Sequence, residues 1–139
     1  MLAQSVSVGR LLLVRLGPGE DVLVGLRCAV EEHRIRTGAI LGGAGSLRSY
    51  HVHVVQTTNL PPGNVYAQAE GPFDILSLTG FVIDGQVHAH ITFSNLERAM
   101  GGHLEEGCRV LTFALVTLAE MPEASLAGWD RADTVQNKP

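Results

Sequence analysis

The sequence predicts an α+β fold, a large and mostly antiparallel sheet with one main helix. Three observations point there. One segment has helical periodicity, several others alternate or run apolar in the manner of strands, and an Asp84-Gly85 turn signal joins two of those strands. With 139 residues, 45% of them hydrophobic, the chain can bury a core as a single domain, assigned to 1–120, followed by a polar C-terminal tail, 121–139.

The elements follow in order. "GRLLLVRL" is rich in strand formers and stops at Gly17-Pro18-Gly19. In "EDVLVGLRCAVEEHRI" the positions Val22, Leu23, Leu26, Ala29, Val30 and His33 recur at steps of three and four, which predicts the helix. Glu20 and Asp21 stand where its N-terminus favours acids. His33, alone on that helix, is expected to border the core. "TGAILGGAGSLRSYHVHVV" starts as a strand, meets Gly42, Gly43 and Gly45, and resumes alternation through Tyr50, Val52 and Val54, so the glycines mark a bulge or a close backbone approach. A phosphate-cradling loop is the lesser alternative, disfavoured by the missing G-x-x-x-x-G-K-[ST] pattern and by the absence of a following helix pattern. "NLPPGNVYAQAEG" reads as turns around a short edge strand, "NLERAMGG" as a flexible connection, and "CRVLTFALVTLAE" as a long buried strand.

Charge narrows the function classes. Fourteen acidic against ten basic residues give a net charge of −4, which provides no general attraction to nucleic-acid phosphates. No apolar run approaches the roughly 20 residues of a membrane span. Cys28 and Cys108 lie far apart without C-x-x-C spacing, and the N-terminus lacks a secretory pattern, so a reduced, cytoplasmic protein is expected. Cys108, beside Arg109, is read as a buried strand residue rather than a nucleophile.

The hairpin has a consequence for the histidines. With Asp84-Gly85 as a two-residue loop, Ile83 faces Gln86, and Val82, Gly80, Leu78 and Leu76 face Val87, Ala89, Ile91 and Phe93. The opposite face then holds Phe81 across from His88, Thr79 from His90 and Ser77 from Thr92. Residues at i and i+2 project to one side about 6.5 to 7 Å apart, so an H-x-H pair can converge on one ion. His103 is the nearest candidate for a third ligand, and three neutral imidazoles with an open position suit zinc, with nickel, iron and cobalt also compatible. Histidines on a solvated strand face need no such purpose, however, and His51 and His53 repeat the spacing. That second pair is an exposed face, a subunit contact or the site itself.

Taken together, "GAILGGAGSLRS", "GPFDILSLTGFVIDGQVHAHITFS" and "GGHLEEGCRV" resemble the plants-and-prokaryotes conserved domain, also called domain of unknown function 296, over roughly Ser7 to Glu120. The resemblance implies a homotrimer and a metal associated with the H-x-H strand and the G-G-H-L turn, here His88, His90 and His103. It also marks Glu106 of G-G-H-L-x-E-G as a candidate for catalysis, for support of a ligand, or for a structural hydrogen bond at the turn. In plants the domain follows a basic AT-hook, and bacterial relatives take the name DNA-binding from that link. This chain shows no such segment, so charge disfavours direct DNA binding, and contact through a partner stays open. The tail "LAGWDRADTVQNKP" departs from the more regular ending of prokaryotic members. The function expected is a small metal- or ligand-binding trimer, with a small molecule as a possible ligand. A metal-dependent hydrolase or lyase, with Glu105 or Glu106 moving a proton, is the alternative.

Overall fold

A computed structural model describes residues 1–132; residues 133–139 of the expected tail lie outside the described residues. The elements are β1 (Leu11–Leu16), α1 (Val22–Glu32), β2 (Gly38–Val55), β3 (Asn64–Ile83), β4 (Gln86–Ser94), β5 (Ala99–Leu104) and β6 (Val110–Glu120). The strands form one antiparallel sheet in the order β1-β6-β2-β3-β4-β5, and β2 also pairs with β5. That extra ladder closes β2, β3, β4 and β5 into a ring. Helix α1 packs Val22, Leu23, Leu26 and Val30 into the same core as Val52, Leu78, Ile91, Phe93 and Leu104. The expected α+β architecture is present.

The helix begins where the sequence places it because Asp21 serves two partners. Its Oδ1 accepts from the Val24 N–H at 3.1 Å, capping α1, and its Oδ2 accepts from the Gly107 N–H at 2.7 Å, fixing the turn after β5. His33 is a departure. It sits at the helix C-cap, exposed, where its carbonyl accepts from Arg10 Nη2 at 2.7 Å.

Asp84 and Gly85 adopt φ 50° and 78°, the backbone of a type I′ turn, and set the expected register from Ile83↔Gln86 through Ser77↔Thr92. Beyond Ser77 the register shifts, so Ile75 and not Leu76 faces Phe93, and Leu76 is exposed. The bulge lets β3 bend into the ring while Ile75 stays buried. "VYAQAEG" lies at an edge as expected, since β4 pairs with β3 only from Asp74 onward, but it is not a separate short strand. It is the first half of β3, laddered to β2 from Ser49 to Val55, and a register shift between Leu47 and Ser49 absorbs Gly71-Pro72. Nor is "NLERAMGG" flexible. Asn95 Oδ1 accepts from the N–H groups of Glu97 and Arg98 in a tight turn, and the chain re-enters the sheet as β5. The glycines allow that. A Cβ on Gly101 would lie 2.2 Å from the Ile91 carbonyl oxygen, and one on Gly102 would lie 2.6 Å from that of His53.

After β6, the Gln4 side chain both donates to the Ser125 carbonyl (2.7 Å) and accepts from its N–H (3.0 Å), and Leu126 is buried. Among the described residues no helix is long and apolar enough to cross a membrane.

Cys108 is fully buried, with its thiol 3.3 Å from the His51 carbonyl that accepts from it, and burial pushes its pKa up to about 11. Cys28 is exposed on α1. At pH 8 a thiol of that pKa is roughly one-thousandth ionised. Ellman's reagent is therefore expected to titrate one thiol per native chain within minutes and a second only after unfolding. Prompt labelling of both in the native state would contradict this burial.

Candidate metal centre

The closed ring puts four imidazoles on one face. Ladder positions His53↔His103 and His90↔His103 align β2, β5 and β4 in a row, and His88 lies two residues along β4. Their neighbours Val52, Leu104, Ile91 and Ala89 point the other way, into the core, so strand alternation fixes the histidine face. His103 is the hub. Its ring centroid lies 4.4 Å from His53, 4.8 Å from His88 and 5.5 Å from His90, and His88 and His90 are 5.7 Å apart.

The three residues expected as ligands, His88, His90 and His103, are thus brought together. Two imidazoles bound to one tetrahedral zinc through nitrogens at 2.0–2.1 Å have centroids about 5 Å apart, and the three observed separations bracket that value. A second indication is His103 Nδ1, buried without a hydrogen-bond partner among the described residues. The nearest carboxylate oxygen, Glu105 Oε1, is 3.6 Å away, too far for a hydrogen bond. The donor set fits a borderline-soft divalent cation.

Two members of the cluster stand outside the three expected ligands, His53 from the pair left open as an alternative site and Glu105 from the two carboxylates named as proton carriers. His53 stacks on His103, and Glu105 Oε1 lies 2.5 Å from His53 Nδ1; the ligand atoms of His53, His103 and Glu105 all lie within 4.8 Å of one another. The H-x-H spacing of "HVH" is the signal that flagged His53, but only the β2–β5 ladder tells it apart from His51. His51 is held by the Glu106 carbonyl at 2.7 Å from its Nδ1. The Glu106 carboxylate is exposed and pairs with Arg27, so the carboxylate among the imidazoles is that of Glu105.

Burial, then the neighbouring His53 and His88, hold His103 below the usual imidazole pKa against the opposing pull of Glu105. Loss of hydration, then His88 and His53, does the same for His90. Both are therefore neutral at pH 7, with a lone pair available for an ion.

Comparison with known proteins identifies the fold and the family. A plant- and prokaryote-conserved (PPC) protein from Pyrococcus horikoshii superposes with a TM-score of 0.75 at 28% identity, over 90% of this chain and 87% of that one. A metal-containing protein from Archaeoglobus fulgidus gives 0.76 at 25% identity, over 89% of each. A curated relative, the bifunctional protein GlmU of a Synechococcus strain, is 29% identical over 111 residues, and the chain spans only 17% of its length. The Plants and Prokaryotes Conserved (PCC) domain matches residues 3–122, nearly the whole described chain. On that match the chain belongs to the Plants and Prokaryotes Conserved domain family.

Proposed function

We propose that the domain is a metal-binding module that holds one divalent transition-metal ion, zinc foremost, through His88, His90 and His103, with His53 and Glu105 at its flank. The observation that carries this reading is His103, an imidazole packed against three others with its Nδ1 buried and without a hydrogen-bond partner among the described residues. The metal-containing relative from Archaeoglobus fulgidus supports it. Glu105 holds His53 through its Nδ1, which orients that ring, and sits beside His103 without bonding it. A bound ion would supply Lewis acidity and an acidified water. Glu105, and not the Arg27-paired Glu106, is the carboxylate placed to take a proton there, which favours a metal-dependent hydrolase or lyase as the second reading. Direct contact with DNA is no part of the proposal, because the net charge of −4 opposes it.

Protein purified without an affinity tag is expected to carry close to one zinc or similar ion per chain by mass spectrometry. Less than a tenth of an equivalent, unrestored by added zinc, would overturn the reading. Because the shifted imidazoles stay neutral below their usual pKa near 6.5, retention should be flat from about pH 8 through that value and fall only at lower pH. Loss already complete by pH 7 would contradict the direction of those shifts.

The same reading includes a homotrimer. Leu11, Leu13, Phe113 and Leu115 stand exposed on β1 and β6, an apolar face that a second copy would cover. Light scattering should give three times the chain mass of 14.8 kDa, and a monomer at micromolar concentration would defeat it.

A further inference from the structure

The segment after β6 adds something the histidine cluster does not use. Held by Gln4 at Ser125 and anchored by buried Leu126, it carries Trp129 and Asp130 back across the sheet to His88. A hollow of about 450 Å³ lies between Leu126 and Trp129 on one side and Phe81 and Ile83 on the other. Its walls are apolar, and its polar groups, His88 and Asp130, stand together, with Asp130 Oδ2 3.6 Å from His88 Nδ1. Phe81 is 49% and Trp129 39% exposed, so two aromatic faces remain open to an occupant.

From this arrangement we infer that the hollow is the ligand pocket of the cluster and takes a small molecule with a compact, uncharged apolar group, aromatic or branched, joined to an oxygen head that reaches the imidazoles. The inference rests on the metal reading above for the head, and on the pocket alone for the apolar group. Its size falls within the 300–1,000 Å³ range of small-molecule sites, which combine apolar walls with a few convergent polar groups. Asp130 beside His88 disfavours an anionic tail, and the aromatic walls supply area for a ring to stack.

The test compares two probes with the same head. Benzohydroxamic and acetohydroxamic acids are titrated into the zinc-loaded protein by calorimetry and by the emission of Trp129, the only tryptophan in the chain. The phenyl compound is expected to bind about tenfold tighter or more, as burial of a ring predicts, and to shift the Trp129 emission. Phe81→Ala, a change at a half-exposed position, is expected to bring the ratio close to one while the zinc content stays unchanged. Equal affinities, or a ratio that survives Phe81→Ala, would overturn the pocket. Benzyl alcohol on metal-free protein separates the two readings. If the protein takes up no zinc yet benzyl alcohol still shifts Trp129 in a Phe81-dependent way, the metal reading falls and the pocket stands. A Trp129 silent to both the phenyl hydroxamate and benzyl alcohol means the hollow is filled, for instance by a second copy, or is no site, and either result ends the proposal.

Discussion

Replacing His103 by alanine should lower zinc affinity by on the order of 100-fold or more, since loss of a supporting partner alone commonly costs 10- to 100-fold and His103 is itself the hub. The variant should remain folded. Alanine is acceptable at a half-buried strand position, and the substitution removes a buried nitrogen that has no hydrogen-bond partner among the described residues, so the metal-free melting temperature should move by only a few degrees. His51→Ala is the matched control. It belongs to the same H-x-H pair as His53 but bonds the Glu106 carbonyl outside the cluster, and its zinc content should stay at the wild-type level. Competition with a chromogenic chelator measures both. Wild-type affinity in His103→Ala would remove the hub from the centre, whatever its neighbours did.

Gly101→Val is expected to have the largest effect on stability. Its Cβ would start 2.2 Å from the Ile91 carbonyl oxygen and 3.0 Å from the Thr92 Cα, both backbone atoms that a rotamer change cannot relieve. Either β5 leaves the sheet or the β4–β5 ladder opens, at a cost of roughly 3 kcal/mol or more. For a domain of this size that lowers the melting temperature by on the order of 10 °C. Zinc uptake should fall with it, because His103 is two residues further along the same strand. A variant melting within a degree or two of wild type would mean that β5 is not clamped between β4 and β2.

What was legible in the sequence follows from which forces are local. The Asp84-Gly85 turn sets its own register through its backbone geometry, so the face carrying His88 and His90 could be read from neighbouring residues. Helix α1 showed itself through its period and its Asp21 cap. The bulge at Leu76 was hidden, because it answers to the curvature of the whole ring and not to its own residues. Strand β5 was hidden for a different reason. Gly101 and Gly102 are there for close packing, and from the sequence alone that role cannot be told from loop flexibility. Glu105 and His53 meet across 52 residues of chain, through a β2–β5 ladder that no short-range pattern encodes.

That ladder is short. Only Val52↔Leu104 and His53↔His103 join β5 to β2, so the cylinder's seam is two residue pairs long, and the imidazoles lie directly over it. Opening of the cylinder would start at this weakest stitch and carry His103 away from His53. The stacking of His53 on His103 and the 2.5 Å contact between His53 Nδ1 and Glu105 Oε1 therefore act as the clasp that holds β5 to β2.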